Sequence, residues 1–416
     1  MQAKLAVSRF PGMATAVIAA LLLAGAIADA TAQSGRPRAG PPEPSMVAWV
    51  GPDTERQMLD AIARYRRIAS AGGWPELPGR IVLRPGDTDS NVSILRRRLQ
   101  SSGDLAANVR DDHAFDQTVE AAVKRYQRRH GLEPTGVVYG ITQRSLNVPA
   151  AERVEQLERN LARIQELSRR ILAAPRYILM NAASFELQAI ADGRVEIASR
   201  TIAGKRATPT PVVSAQVQAI NLLPYWHVPG TIAKAALVPA VRKDPTYLYR
   251  ERIRVFSSFG GEEIDPATVN WWGPEAERYV FRQDPGPHNA LGLLRFDMPN
   301  KHIVYMHDTP MKKLFGYFER AYSAGCIRVQ SFYDVAAWAL AGQDGWTAAR
   351  LQQAAQSGSA ETIKLKRPVP VHFIYLTAWT ENGEVQFRND LYNRDEGPAE
   401  AGEDTAARVL SQSVAP

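Results

Sequence analysis

Residues 185–199 read FELQAIADGRVEIAS. Phe185, Leu187 and Ala189 alternate with polar or small neighbours, and Val195, Ile197 and Ser199 do so again beyond Asp192-Gly193. A period of two is the mark of a strand, and Asp-Gly provides the positive-φ pair of a two-residue hairpin turn. Three later stretches are also strand-like: HIVYMHD (302–308), TIKLKRPVPVHFIYLTAW (362–379) and VQF (385–387). Residues 176–390 are therefore expected to form a predominantly β domain, with His302 and His307 on opposite faces of one strand.

Upstream of the hairpin the period is helical. In 151–172, Val154, Leu157, Leu161, Ile164, Leu167 and Ile171 recur every three or four residues, and Met58, Ile62, Tyr65 and Ile68 do the same in 57–68. The two helices are expected to pair as a scaffold, in two pieces (49–83 and 149–175), carrying the intervening segment 84–148 as an insertion. That segment predicts a helix burying Val92, Leu95 and Leu99, then a second stripe of Phe115, Val119, Val123 and Tyr126, with Gly131 as a stop. The fold class expected overall is multidomain α+β. Residues 33–48 are rich in Pro and Gly and read as a linker. The acidic, Gly- and Ala-rich 391–416 reads as a disordered tail.

The chain has 416 residues, a net charge of +7, one cysteine and seven histidines. A single Cys326 excludes internal disulfides, cysteine zinc clusters and CxxC redox chemistry. No basic run suggests a nucleic-acid partner, and without HExxH or a carboxylate cluster neither metal nor cofactor is expected. Lys4 and Arg9 precede an apolar run from Met13 to Ile27, followed by Ala28, Ala30 and Ala32. This is the order of a secretory signal in residues 1–32, cleaved near Ala32, with no later membrane span. An unpaired thiol in an exported chain is either buried or present for its chemistry.

Cys326 sits in Ser323-Ala324-Gly325-Cys326-Ile327-Arg328, nineteen positions after His307 in Tyr305-Met306-His307-Asp308. A thiol attacks as thiolate, so an imidazole that takes its proton is the partner to expect. Gly325 would let backbone N–H groups form an oxyanion hole, and Tyr305, by strand alternation on the face of His307, is a further oxyanion candidate. Ser323 and Asp308 are candidates to orient the imidazole. Arg328 has three candidate roles: raising the thiolate fraction, binding a substrate carboxylate, or holding the local turn. Trp271 and Trp272, in a long connection at about 231–286, either stack on sugar or peptide or anchor that loop.

The run H-x15-S-x-G-C-I-R resembles the signature of the L,D-transpeptidase (YkuD-type) family. The pattern GD…V..L...L…F…V..YQ..HGL...G…T…LN in 84–148 resembles a helical peptidoglycan-binding module, with Tyr126 and Thr135 departing from the usual Phe and Asp. Gly204 with TPTPV (208–212), PYWHVPGTIAK (224–234), KDPTYL (243–248) and GPHNALGLLRFDMPN (286–300) resemble the larger, YcbB-like branch. The resemblance implies a periplasmic enzyme whose Cys326 attacks a peptidoglycan tetrapeptide stem, releases D-alanine and holds a thioester, with His307 as base and then acid. An amine of a second stem then completes a 3→3 cross-link. Water or an outer-membrane lipoprotein lysine are the alternative acceptors, carbapenems should acylate Cys326, and 231–286 would be a lid. A wall-binding protein with an inactive catalytic domain is the non-enzymatic reading.

Overall fold

The computed structural model describes residues 40–171, 174–343, 345–358 and 360–396. The expected signal, most of the tail and the start of the linker lie outside them. Helices α1 (Thr54–Ser70) and α5 (Ala150–Ile171) pack together through Met58, Ile62 and Tyr65 against Val154, Leu157 and Ile164. Between them, α2 (Ser90–Ser102), α3 (Gln117–Arg129) and α4 (Gly140–Leu146) close a separate small core. The stripes that define it, Val92, Leu95, Leu99, Phe115, Val119, Val123 and Tyr126, are all buried. Asp89 and Asp116 cap α2 and α3 by accepting from Asn91 N–H and Val119 N–H. The Tyr126 hydroxyl, the extra atom of that departure, is bonded to Ser145 Oγ at 2.9 Å.

The β region begins with β1 (Arg176–Asn181), β2 (Glu186–Ala191) and β3 (Arg194–Gly204). Asp192 and Gly193 turn the β2–β3 hairpin with φ of 48° and 76°. β4 (Val213–Leu222) follows. After an intervening unit come β9 (Leu294–Asp297), β10 (Met306–His307), β11 (Ala321–Ser323), β12 (Ile327–Val329), helices α6 (Phe332–Ala339) and α7 (Ala348–Gln356), and β13 (Glu361–Ile374). The strand order is β11-β3-β12-β10-β9-β4-β13-β1-β2, and β3 also pairs with β2. The sheet thus closes on itself like a barrel, around Ile178, Val217, Phe296, Met306, Ile327 and Phe373. β13 breaks register between Lys364 and Val369, next to Pro368 and Pro370. β14 (Ala378–Glu381) and β15 (Glu384–Phe387) form a hairpin against the scaffold helices.

The module is joined to this hairpin by directional contacts. Arg129 donates to Val385 O and Arg388 to Arg129 O, and the Tyr126, His130 and Phe387 rings stack in a row.

Residues Tyr225–Asp284 form a compact unit of their own. In it β5 (Trp226–His227), β6 (Ile253–Phe256), β7 (Glu263–Ile264) and β8 (Val280–Gln283) make an antiparallel sheet ordered β5-β8-β6-β7. Its core holds Val238, Leu248, Val255, Ala276 and Phe281.

Three expectations need correction. The strand expected over 302–308 is only Met306–His307. Asn300 builds a turn upstream, accepting from His302 and Val304 N–H and donating to Met298 and Val304 O, so His302 is not on the strand at all. The linker is not free over 41–47: Arg200 binds Pro41 O and Glu43, and Gln188 binds Ser45 O and Val47 O. The tail begins later than 391, because Tyr392 stacks on Tyr375 and the Asp395 carboxylate is held by Arg163 and Thr377. Buried polar partners outweigh acidic composition there.

Candidate active site

Strands β10 and β12 run parallel, with Met306 opposite Ile327 and His307 opposite Arg328. Residues paired across a ladder share a face. Ile327 N–H donates to Tyr305 O at 2.8 Å, so the register continues one residue back and sets Cys326 beside Tyr305. Tyr305, His307, Cys326 and Arg328 therefore share one face, opposite the buried Met306 and Ile327. The row through His307 extends further, because His307 pairs with Arg295, Arg295 with Asn221, and Asn221 with Thr362. Five polar side chains thus lie side by side across neighbouring strands spaced about 4.8 Å apart. Asn221 Oδ1 accepts from Arg295 Nε and Nη2, and Asn221 Nδ2 donates to Thr362 Oγ1. The Arg295 guanidinium lies 4.9 Å from the centroid of the Tyr305 ring.

The turn before the cysteine is braced from three sides. Ser323 Oγ donates to Cys326 O at 2.6 Å and accepts from Gly325 N–H at 3.0 Å. Gly325 has φ +116°, a conformation that side chains other than glycine's rarely adopt. Thr210 Oγ1 accepts from Gly204 N–H and donates to Gly325 O, both at 2.9 Å. A Cβ on Gly204 would stand 2.1 Å from Thr208 O, so the TPTP segment reaches the cysteine turn only because residue 204 is glycine. From the C-terminal side, Tyr392 hydroxyl donates to Gly204 O and Arg394 to Thr210 O.

These contacts reassign several candidate roles. Ser323 braces the turn instead of orienting His307. Asp308 does meet the imidazole, through its backbone carbonyl 2.5 Å from His307 Nδ1. The Asp308 carboxylate faces elsewhere, accepting from Leu293 N–H and pairing with Lys312. Gly325 N–H is taken by Ser323, so it is no oxyanion donor. The Cys326 N–H, by contrast, donates to no described residue. A carbonyl on Nδ1 fixes the proton there and leaves Nε2 as the basic nitrogen. The two tryptophans part company. Trp271 Nε1 donates to Pro266 O and its ring packs by Phe281, so it anchors its own unit, whereas Trp272 is 76% exposed with Arg242 5.4 Å from its ring.

The electrostatics favour a neutral resting pair. Burial lowers the His307 pKa to about 3, with Arg328 pushing the same way. Burial also raises the Cys326 thiol, against a hydrogen bond from the Tyr305 backbone and the positive charges of Arg328 and Arg295. Thiol and imidazole are thus both uncharged at neutral pH, and the proton moves as the sulfur attacks.

Thr210, Tyr392 and Arg394 carry no motif that marks them as part of the site. Thr210 belongs to the TPTPV segment, and the one signal at Tyr392 is an aromatic ring in an otherwise polar stretch.

Residues 175–351 match the model of the L,D-transpeptidase catalytic domain, and residues 88–144 that of a putative peptidoglycan-binding domain. A putative L,D-transpeptidase of Haemophilus influenzae is 32% identical over 219 residues, covering 52% of this chain and 44% of the relative. The chain thus spans less than half the length of that relative. Among solved structures, a mutant L,D-transpeptidase of Enterococcus faecium is 12% identical, covering 48% of this chain and 50% of the other at a TM-score of 0.24. One from Stackebrandtia nassauensis is 10% identical, covering 72% and 96% at a TM-score of 0.25.

Proposed function

We propose that this chain, whose residues 175–351 match the L,D-transpeptidase catalytic-domain model and 88–144 that of a putative peptidoglycan-binding domain, is a periplasmic enzyme of the YcbB-like branch that forms 3→3 cross-links in peptidoglycan. One observation carries this reading: the register of β10 on β12 sets the thiol and the imidazole on one face of the sheet, beside a cysteine N–H without a partner among the described residues.

Cys326 Sγ attacks the carbonyl that joins the third stem residue to the terminal D-alanine, and His307 Nε2 takes the thiol proton. Cys326 N–H donates to the developing oxyanion, a contribution of about 2.7–4 kcal/mol per donor. The tetrahedral intermediate collapses as His307 returns the proton to the departing amine of D-alanine, leaving a thioester on Cys326. The side-chain amine of a second stem attacks that thioester, and His307 repeats its role in reverse to free the sulfur.

Purified protein incubated with a tetrapeptide-bearing muropeptide is expected to release D-alanine and form tripeptide–tetrapeptide dimers, and Cys326→Ala to do neither. Intact mass after meropenem exposure should show an adduct on the wild type alone. Free tripeptide without dimer would redirect the reading to carboxypeptidase action, and transfer to a lipoprotein lysine to tethering. Absence of turnover and of adduct would leave an inactive wall-binding protein.

A further inference from the structure

Two cations adjoin the cysteine turn, and neither Lys205 nor Arg328 forms an ion pair with an acid among the described residues. Arg328 Nε is buried without a hydrogen-bond partner, and the guanidinium's polar contact is Nη1 to Met311 Sδ at 3.5 Å, a weak acceptor. β12 pairs with β3, Arg328 opposite Ile202, so β3 runs on alongside the turn to Gly204, whose partner in β11 is Ser323. The next residue, Lys205, donates its N–H to Ser323 O at 3.0 Å, and the chain then folds back over Gly204 through Thr208 and Thr210. Lys205 is thereby tied to the SAGC turn. Its side chain is partly buried and its ammonium meets no acceptor among the described residues.

Burial lowers the Lys205 pKa and the Arg328 charge lowers it further. The carboxylates of Asp308 and Asp297 are paired with Lys312 and Arg295. Withdrawing two like charges from water without a counter-ion is costly, and a bound anion offsets that cost.

We propose that Lys205 and Arg328 together bind the C-terminal carboxylate of the donor stem, the one carried by the departing residue. The inference rests on the transpeptidase reading above. In the donor the carboxylate lies one residue beyond the scissile carbonyl, and in the site Arg328 lies two strand residues, about 6.6 Å, beyond Cys326, within reach of a long cationic side chain. A guanidinium and an ammonium suit the two oxygens of one carboxylate. The pair makes the site selective for donors with a single residue after the scissile bond. An amide cap removes the anion, and an added residue moves it out of reach.

The test is equilibrium binding to the full chain carrying Cys326→Ala, so that no turnover intervenes. The probes are the tetrapeptide L-Ala-γ-D-Glu-meso-diaminopimelyl-D-Ala and its C-terminal carboxamide. The free acid is expected to bind roughly 10- to 100-fold more tightly than the amide, the range for a hydrogen bond to a charged group. Adding Lys205→Met should remove most of that difference, and Lys205→Arg should keep it. In the active enzyme, Lys205→Met should act mainly on KM. Equal affinity of the two peptides overturns the proposal without any substitution at 205. So does a Lys205→Met protein that melts normally and keeps the full preference. Preference for the acid in a protein whose intact Cys326 releases no D-alanine would sink the transpeptidase reading and leave the carboxylate site standing.

Discussion

Arg129 is a buried arginine and Arg328 a half-buried one with its Nε enclosed, and their surroundings differ in kind. In the module, Arg129 Nε and Nη2 reach both oxygens of Asp104 at 2.6 and 2.5 Å, and Nη1 reaches Val385 O. Burial works against its charge, yet Tyr65 and Asp104 hold its pKa above the ordinary value. In the candidate site, Arg328 has a methionine sulfur and an orphan Nε, and burial lowers it to about 10. The fully buried arginines elsewhere among the described residues each reach an oxygen acceptor, even where one nitrogen stays unpartnered as Arg98 Nη1 does. Arg320 donates to Thr201, Tyr317 and Phe185 carbonyls, and Arg98 bonds Leu146 O and lies 3.8 Å from the Trp74 ring centroid. The buried charges of the fold reach oxygen acceptors, whereas the Arg328 guanidinium reaches a sulfur, a weak one.

Substitutions at the two sites should therefore act in opposite columns. Asp104→Ala leaves Arg129 buried and unpaired and is expected to cost about 3–5 kcal/mol of stability, read as a lower melting temperature or denaturant midpoint. Arg328→Gln should leave the melting temperature nearly unchanged while kcat/KM for the tetrapeptide falls roughly 10- to 100-fold. If both substitutions lower stability alike, the contrast is void. Thr210→Val sits between the columns, because the hydroxyl bridges Gly204 N–H and Gly325 O. Losing it should cost about 1–3 kcal/mol and lower kcat through a loosened cysteine turn. Tyr392→Phe removes one bond to Gly204 O and should cost about 0.5–1.5 kcal/mol with a small loss of kcat.

Acid sharpens the same contrast through His307. Its folded pKa of about 3 lies below the unfolded value near 6.5, so over that window the unfolded chain binds more protons. His372, lowered to about 4 by burial and by Arg170, acts in the same direction. Stability should be fully present above pH 6.5 and fall as pH drops toward 3, and His372→Gln should flatten that slope. At the thiol, iodoacetamide alkylation of Cys326 should rise with pH through a single step above the ordinary thiol range. A plateau or shoulder near pH 6.5 would instead reveal a thiolate–imidazolium pair.

Much of the architecture was legible because it rests on local periodicity. The three-four stripe of α3 and the period-two hairpin at Asp192-Gly193 appear where the residues placed them. The strand around His307 was overestimated, because the Asn300 turn competes for the same backbone through side-chain bonds that no periodicity encodes. Residues 391–396 depart from the expected tail for a related reason. Their composition is that of a solvated tail, while Tyr392, Arg394 and Asp395 find buried partners far away in sequence.

By itself, the sequence determined that one thiol is available to this protein, that it follows a glycine suited to a tight turn, and that a histidine on a strand lies nineteen residues before it. It also determined the change from helical to β periodicity at residue 176. Only the tertiary structure decided what surrounds that thiol. The pairing of β10 with β12 chose which side chains share its face, and backbone carbonyls took the orienting role expected of side chains. The fold-back at Gly204 brought Lys205 to the same turn. The reason is physical: periodicity reports which face a residue turns to the core, but a site is assembled from strand register and long-range hydrogen bonds, which join residues remote along the chain.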